Sequence, residues 1–390
     1  MTRRDNRGHV LGLIARAGPT TRRELCDATG LTGAGVSRVT RELIELDLIV
    51  EHPPVIEKGV TGRRTTPLAI NPAGAFVFGI GVTGNRRTVS LANAAGEIIA
   101  ERDFNHVPLG DPSAICTSIS LLIEELANLG VADPKRILGA GVSVPTNKVV
   151  GDAGIVTSGI LGWSDVPLGD MLARQCAYPI KVMSRASSLI HAETHGKGAV
   201  ETGDVYLINV SVGVGSSWSR YEGSQHREWP LGSIAHLQHP GAGQPCPCGG
   251  CGCMEVCGSG IAVVERLLRG SDEPSDYAAL GQRLQEARFA AERGDRNAKA
   301  AYREAGKRLA FAVQMVDTLI APGRIVLAGE TGRQQDYREG VLQGLRAENR
   351  TAAENKLRIS YATTAEAAAI TALERFVFNI SVDVEKLKAA

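Results

Sequence analysis

The chain has 390 residues, 43% of them hydrophobic and 22% charged, and its 43 basic residues nearly balance its 42 acidic ones. This length exceeds one ordinary domain and predicts two or three. The net charge of +1 excludes a protein whose whole surface is basic and binds nucleic acid, but it does not exclude a small basic module. No apolar stretch reaches the roughly 18 residues of a membrane span, and the N-terminus lacks a signal-peptide pattern. We therefore expect a cytoplasmic protein with no membrane partner.

The N-terminal segment 1–70 carries a positive charge that the average conceals. It holds eleven Lys and Arg against eight Asp and Glu, a net charge of +3, which leaves −2 for the remainder. The excess is small, but its sign is the one expected of a module that contacts DNA.

Three short helices are predicted in this basic segment. The second helix is expected over Arg22–Thr29, with a capping box between Thr21 and Glu24. Thr32 can cap a third helix that runs to about Asp47. This helix–glycine–helix spacing is that of a helix-turn-helix, whose second helix enters the major groove of DNA.

The polar face of the third helix and the loop beyond it are the candidate DNA surface. Two predicted strands, Leu48–Val50 and Leu68–Ile70, enclose a loop rich in glycine and arginine, which is typical of a wing. Residues 1–70 are thus predicted to form a winged helix-turn-helix that binds double-stranded DNA; a packing or dimerisation module is the alternative. The candidate contacts are Thr32, Gly35, Ser37, Arg38, Arg41, Arg63 and Arg64, with Thr40 expected on the same helix face.

Residues 71–390 have a different predicted secondary structure from that of the first 70 residues. Strands and helices alternate with glycine at their junctions, which predicts an α/β architecture. A segment of this length divides naturally into two lobes with a cleft between them. We expect the first lobe over about 71–190 together with the C-terminal helix, and the second over about 191–365.

Five of the eight cysteines lie within residues 246–257. Such crowding in a large chain predicts a metal site rather than a disulfide framework, and redox-active thiols without metal are the alternative. Zinc prefers four nitrogen or sulfur ligands. Three thiolates come from Cys246, Cys248 and Cys253, and the fourth ligand is open among His236, His239, Cys251 and Cys257.

The order of motifs in this large part resembles the ROK family (repressor, open reading frame, kinase). Residues 246–255 fit that family's C-x-C-G-x-x-G-C-x-E pattern, and residues 141–145 and 162–168 also match. The resemblance implies an N-terminal winged helix-turn-helix followed by a two-lobed actin-like ATPase (ROK) fold. It also implies a structural Zn2+ with His236 as fourth ligand, its ring lying between the metal and a bound sugar.

The same resemblance reveals departures at the positions that family kinases use for phosphoryl transfer. Gly81 replaces the aspartate of the first phosphate loop, and Arg185 replaces the catalytic aspartate. The second phosphate loop has Val212 where a hydroxyl is usual. A guanidinium stays protonated and cannot act as a base. We therefore predict no kinase activity, and ATP is not implied.

Sugar recognition is predicted to be altered as well. The family's E-x-G-H motif loses its glutamate at Ser233, whereas Glu255 matches a later acidic sugar contact. Arg185 would favour a phosphate or carboxylate on the ligand, unless it pairs with an acid such as Glu255 and no ligand binds. The candidate effector-binding residues are Ser184, Arg185, Ser233, His236 and Glu255.

The main hypothesis is therefore a DNA-binding transcriptional regulator that is controlled by a sugar, phosphosugar or related metabolite. The family resemblance favours a repressor over an activator. A homodimer or tetramer would suit a symmetric operator, with Pro67–Pro72 as the connection on which the heads move. The alternatives are a zinc-containing sugar kinase with an accessory DNA-binding head and a regulator that needs no small-molecule effector. His191 and His195 have the spacing of a helical metal pair, but no third ligand is evident from the sequence, and we expect a solvated or interface face.

Overall fold

A computed structural model describes most of the chain: residues 3–53, 65–146, 148–196, 203–222, 225–229, 233–268, 277–378 and 387–388. The architecture is mixed α/β, as predicted, with a small helical head ahead of two five-stranded sheets. Arg63 and Arg64 of the expected wing lie outside the described residues. Among the helices that are described, none has the length and apolar character needed to cross a bilayer.

The head consists of three helices and a two-stranded antiparallel sheet. Its second helix begins with the predicted capping box of Thr21 and Glu24, and it ends at Gly30, whose φ of 69° is left-handed. Thr32 caps the third helix by accepting a hydrogen bond from the Gly35 amide. The elements are α1 (Arg3–Ala17), α2 (Arg22–Thr29), α3 (Gly33–Glu45), β1 (Ile49–Glu51) and β2 (Leu68–Ile70).

The first sheet has the strand order β10-β6-β3-β4-β5, in which β3 runs parallel to β6 and antiparallel to β4. A small antiparallel sheet, β7-β8-β9, lies beside it. The elements are β3 (Phe76–Val82), β4 (Arg87–Asn93), β5 (Ile98–Asp103), α4 (Pro112–Ala127), β6 (Ile137–Val144), β7 (Val149–Val150), β8 (Ile155–Ser158), β9 (Trp163–Pro167), α5 (Leu168–Ala173) and β10 (Ile180–Ser184).

The second sheet has the order β13-β12-β11-β14-β15 and packs against a helical layer. One helix, α6, lies between this sheet and the C-terminal helix α14. The elements are α6 (Arg185–His195), β11 (Val205–Val210), β12 (Val214–Glu222), β13 (Gln225–Trp229), α7 (Met254–Cys257), α8 (Gly260–Leu267), α9 (Tyr277–Glu292), α10 (Arg296–Leu319), β14 (Arg324–Ala328), α11 (Glu330–Arg333), α12 (Gln335–Ala347), α13 (Thr351–Lys356), β15 (Leu357–Ile359) and α14 (Thr364–Phe376).

The strand β3 shows why α14 lies so close to the first sheet. Its side chains alternate between two faces: Phe78 and Ile80 enter the core under α4, whereas Gly79 and Gly81 face α14. A β-carbon at Gly79 would overlap with the Ala365 carbonyl oxygen. The helix backbone thus rests directly on the strand, without side chains between them.

The head is joined to the body by a shared apolar core rather than by a free hinge. Leu11 and Ile14 of α1 belong to the same buried cluster as Leu373 and Val377 at the end of α14. Across the expected hinge, the side-chain amide of Asn71 donates to the Asp47 carbonyl at 2.8 Å. The connection therefore differs from the hinge we expected, because α14 covers the apolar surface of α1.

Candidate DNA, metal and effector sites

The outer face of α3 presents two arginines to solvent. Arg38 and Arg41 are exposed and lie one turn apart, so their side chains project from the same side of the helix. Thr32 is exposed at the N-terminus of α3, and Gly35 and Ser37 are half-buried next to these arginines. Small residues at the N-terminal end of a recognition helix permit close approach to base edges, which arginine can bind.

Thr40 lies on the inner side of α3, so the prediction that it lies on the outer face is wrong. Its side chain is fully buried. The hydroxyl accepts a hydrogen bond from Arg22 Nε at 3.1 Å and donates one to the Ser37 carbonyl. Arg22 also pairs with Glu51 at 2.7 Å. Thr40 and Arg22 therefore fix α2 against α3 rather than contact DNA.

Four side chains converge where the cysteine motif predicts a metal. The ligand atoms of His236, Cys246, Cys248 and Cys253 all lie within 4.8 Å of one another. Cys248 Sγ is 3.7 Å from Cys253 Sγ, and Cys246 Sγ is 3.9 Å from His236 Nδ1. Three soft sulfurs and one imidazole nitrogen form a donor set that could hold a metal ion.

The three rival ligands point elsewhere. Cys251 is exposed and lies outside the four-residue group. Cys257 is buried, with its sulfur directed at the Gly252 carbonyl. His239 packs edge-on against Phe311. The histidine that the resemblance selected is the one that the fold brings to the thiols.

A cavity of about 200 Å3 lies directly beside the cysteine cluster. Glu255 forms part of its wall, and its Oε2 accepts a hydrogen bond from the Val214 amide at 2.8 Å. A β-carbon at Gly213 would stand only 2.5 Å from Glu255 Oε1, so the glycine makes room for the carboxylate. Burial raises the pKa of Glu255, and the Val214 amide opposes that rise. His236, Cys246 and Cys248 line the side of the cavity next to the cysteine cluster.

Arg185 also lines this cavity. The side chain is only 6% exposed, and burial lowers its pKa while the charge of Glu330 raises it. Its Nη2 lies 3.9 Å from Glu330 Oε1, so the internal partner is Glu330 and not Glu255. Within the described structure, Arg185 Nε and Asn209 Oδ1 are buried without a hydrogen-bond partner.

Two of the expected effector residues do not line the cavity. Ser184 caps α6 by accepting a hydrogen bond from the Ser187 amide, and Ser233 is exposed ahead of a short 3-10 turn. The fold instead contributes polar residues that the sequence did not single out: Thr146, Ser158 and Asn209. Asn209 lies near the end of the apolar strand β11. A polar residue at that position is the one sequence feature that could have indicated its place in the cavity.

A second, larger cavity of about 940 Å3 opens between the two lobes. Gly81 lies on its wall, as do Arg185 and Glu330. Glu330 Oε2 accepts a hydrogen bond from Asn85 Nδ2 at 2.6 Å. This bond connects the turn after β3 in the first lobe to α11 in the second.

Comparisons with known proteins agree with the fold and the head. Residues 77–372 match the ROK family, and residues 1–55 match the MarR family. The chain is similar to a putative xylose repressor of Caldicellulosiruptor sp. (27% identity over 63% of this chain and 62% of that protein). It is also similar to the transcriptional dual regulator NagC of Escherichia coli (25% identity over 83% of this chain and 80% of that protein).

Solved structures show the same architecture. A ROK family transcriptional regulator described as a homologue of the E. coli Mlc protein covers 99% of both chains at a TM-score of 0.74 and 21% identity. A ROK glucokinase from Streptomyces griseus covers 76% of this chain and 98% of its own, at a TM-score of 0.59 and 18% identity. The chain, a MarR-like winged head on an actin-like body, belongs to the ROK family.

Proposed function

We propose that the chain is a DNA-binding transcriptional repressor whose affinity for an operator is set by a small effector in the cavity beside Glu255. The exposed arginine face of α3, on a helix capped and packed as in a winged helix-turn-helix, is the observation that carries this proposal. Relatives named as xylose and N-acetylglucosamine repressors support a repressor that responds to a sugar-derived molecule. A two-fold homodimer, or a tetramer, would match a symmetric operator, and we propose a cytoplasmic location.

The DNA proposal is tested with duplexes that the protein itself selects from a randomised pool. We expect Arg38→Ala or Arg41→Ala to weaken binding by about 1–3 kcal/mol if the arginine contacts a base. If it contacts a phosphate, the salt slope falls by about one unit. Arg102→Ala is the matched control, because Arg102 is an exposed arginine of β5 that pairs with Glu125. Unchanged affinity and unchanged slope in both head variants would contradict the proposal.

The metal that best fits the cysteine cluster is a structural Zn2+. A tetrahedral site with Zn–S bonds of about 2.3 Å separates two sulfurs by about 3.8 Å, and the Cys248–Cys253 sulfur separation is 3.7 Å. When bound, zinc would hold the loop that leads into Glu255 and would fix one nitrogen of the His236 ring. The zinc site would therefore shape the effector cavity without taking part in chemistry.

The effector is proposed to carry both hydroxyls and an anionic group. Glu255 can accept hydrogen bonds from hydroxyls, whereas Arg185 and Asn209 hold buried polar atoms without partners, and such atoms are costly unless a ligand binds them. A phosphosugar or sugar acid would offer an anionic group to the Arg185 guanidinium and hydroxyls to Glu255 and Asn209. We expect calorimetry to give at least about tenfold tighter binding for hexose phosphates or aldonic acids than for neutral hexoses.

Arg185→Met should remove this preference for anionic ligands. Equal or tighter binding of a neutral hexose by the unaltered chain would contradict the anionic effector while leaving the DNA proposal intact. DNA affinity that stays constant across both ligand sets would instead favour a regulator that needs no effector.

The helix α6 offers a physical connection between cavity and head. It begins at Arg185 on the cavity wall and ends at His195, about 15 Å away for eleven residues. Along its length it packs against α14, which shares the buried cluster of α1. We propose that effector binding at Arg185 shifts α6 and, through α14, the head. If so, Arg185→Met should abolish the effect of an anionic sugar on DNA affinity without changing DNA affinity in its absence.

Kinase activity is not part of the proposal. Two of the three losses expected from the sequence fall on the interlobe cavity: Gly81 offers no carboxylate, and Arg185 is buried as a cation beside Glu330. A sugar phosphorylation assay with ATP tests this directly, with a neutral hexose as acceptor. ATP-dependent turnover that is lost when zinc is removed would revive the alternative of a zinc-containing sugar kinase.

A further inference from the structure

Arg136 lies where the first lobe meets the end of α3, the helix that carries the candidate DNA surface. It is the last residue of a short 3-10 turn, Pro134–Arg136, directly before β6. Although it belongs to the body, its Nη1 donates to the Leu46 carbonyl at 3.4 Å and to the Gly74 carbonyl at 2.8 Å. Its Nη2 lies 3.8 Å from Asp47 Oδ2. One guanidinium therefore connects the body, the end of α3 and the turn that follows β2.

The C-terminus of α3 is a place where such a donor is needed. The helix ends at its C-cap Leu46 and is followed by Asp47, whose φ of 60° is left-handed. The amides of Asp47 and Leu48 bond back into the last turn of the helix at 2.9 and 3.0 Å. This arrangement serves carbonyls of the last turn but not the C-cap carbonyl itself. Arg136 supplies that missing donor, and its positive charge is favourable at the negative end of the helix dipole.

Two further contacts hold the same helix end against the body. The side-chain amide of Asn71 donates to the Asp47 carbonyl at 2.8 Å, and the backbone amide of Asn71 donates to the Leu48 carbonyl at 2.9 Å. A β-carbon at Gly74 would overlap with the Asp47 carbonyl oxygen. The body thus touches the backbone at the end of α3 directly.

These contacts differ in kind from the apolar cluster that joins α1 to α14. Apolar contact is non-directional, so it holds the head near the body but does not by itself fix how the head is rotated. Hydrogen bonds depend on angle as well as distance, and those donated by a charged group are the stronger ones. The Arg136 side chain keeps only 17% of its surface exposed, so water can replace its bonds only in part.

We propose that Arg136 is a positioning residue for DNA recognition, which sets the direction of α3 relative to the body and thereby the half-site spacing that the protein accepts. This proposal rests on the proposed DNA-binding function and on a two-fold dimer formed through the bodies. One additional base pair turns a half-site by about 35° and moves it by about 3.4 Å. Two heads that are held by directional bonds cannot follow this change, so the dimer accepts one spacing.

The experiment uses the full-length chain and the half-site sequence that it selects from a randomised pool. Two copies of that half-site are placed in duplexes whose spacer is the selected length or is changed by one or two base pairs, and affinity is measured by fluorescence anisotropy. We expect the wild type to prefer one spacing by at least about tenfold, because the other duplexes must be twisted to fit. Arg136→Met should reduce this preference to about threefold or less, since the heads can then rotate.

The base preferences within each half-site separate positioning from folding. They depend on the outer face of α3, which Arg136 does not touch, so Arg136→Met should leave them unchanged. Arg136→Lys keeps the charge but lacks the planar fork that reaches two carbonyls, and we expect an intermediate spacing preference.

Two controls narrow the assignment to the carbonyl contacts. Asp47→Asn removes the charge of the ion pair while tolerating the left-handed conformation. It should keep the wild-type spacing preference, because that carboxylate is 59% exposed and 3.8 Å away. Arg102→Ala, on the exposed side of β5, should also behave as the wild type.

Three outcomes would overturn the proposal and leave DNA binding intact: a wild type that binds all spacings equally, an Arg136→Met variant that keeps the wild-type preference, and a complex of one chain with one half-site. Loss of the half-site base preferences in Arg136→Met would overturn it as well, because Arg136 would then serve only the fold of the head. A wild type that selects no sequence from the pool would instead contradict the proposed DNA-binding function itself.

Discussion

Arginine serves the head and the body of this protein in opposite ways. Arg38 and Arg41 stand exposed on α3, where a guanidinium keeps its hydration and costs the fold little. Arg185 is buried at the start of α6, with one ion pair at 3.9 Å and an unpartnered Nε. A buried charge with incomplete partners lowers stability. The exposed arginines suit an external polyanion, and the buried one suits the small ligand that we propose for the cavity.

This comparison separates stability from binding. In the head, changes to the exposed arginines should alter DNA affinity and leave the free energy of unfolding nearly unchanged. In and around the cavity, changes should alter effector binding or the free energy of unfolding and leave the intrinsic DNA affinity of the head unchanged, because these side chains are part of the packed interior of the body.

The largest expected effect follows loss of the metal cluster beside the cavity. Cys248→Ser should release bound zinc and lower the free energy of unfolding by about 3 kcal/mol or more, because the ligand loop has little else to fold around. Metal analysis and thermal unfolding measure both changes. The head should keep its DNA affinity and its salt slope.

Cys251→Ser is the control for that variant. Cys251 is an exposed cysteine of the same loop, outside the four-residue group. Loss of zinc from this variant, or full zinc content in Cys248→Ser, would show that the ligand set is different.

Gly213→Ala should be next in size. Its β-carbon would meet the Glu255 carboxylate, so the carboxylate must move or the strand must shift, at a cost of about 1–3 kcal/mol. Gly215→Ala is the matched control, since its β-carbon would meet nothing closer than 3.8 Å. Denaturant unfolding compares the two, and equal losses would mean that Glu255 is not held tightly.

Arg185→Met should not destabilise the protein, although most substitutions of buried residues do. Removing the under-satisfied charge should leave the free energy of unfolding unchanged or raise it by up to about 2 kcal/mol, because Glu330 keeps Asn85 as a partner. Arg41→Met in the head should stay within about 0.5 kcal/mol of the wild type. A clear loss of stability in Arg185→Met would mean that Arg185 serves the fold rather than a ligand.

The smallest effect is local to α3. Thr32→Ala removes the cap on the Gly35 amide and should cost about 1 kcal/mol, seen as faster amide exchange in the first turn of α3. Thr32→Ser retains the hydroxyl and should restore protection. No difference between the two would mean that the turn is held by packing alone.

Sequence reasoning succeeded where a feature depends on neighbours in the chain. The capping box of Thr21 and Glu24 is encoded by one short spacing, and the three clustered thiols were predicted from a single motif. It failed where the partner is distant in the sequence. Glu330, which faces Arg185, and Glu374, which faces the histidine pair of α6, both come from elements much later in the chain, and only the folded backbone brings them near.

The prediction for Thr40 was wrong for a different reason. Its hydroxyl suggested an outward position, but threonine is small enough to be buried once Arg22 supplies a hydrogen bond. Periodicity alone cannot decide the side of a helix for a residue of this kind.

The contact of β3 with α14 has an evolutionary consequence. At Gly81, where ROK kinases carry an aspartate, a β-carbon would lie 3.0 Å from the Ala365 backbone nitrogen and 3.1 Å from Thr364 Cβ. An aspartate could be accommodated there only if the start of α14 moved away from the strand. Because that helix also shares a buried cluster with the head, such a movement would disturb the head, and a single Gly81→Asp substitution would not be expected to supply a carboxylate at this position while leaving the head unchanged.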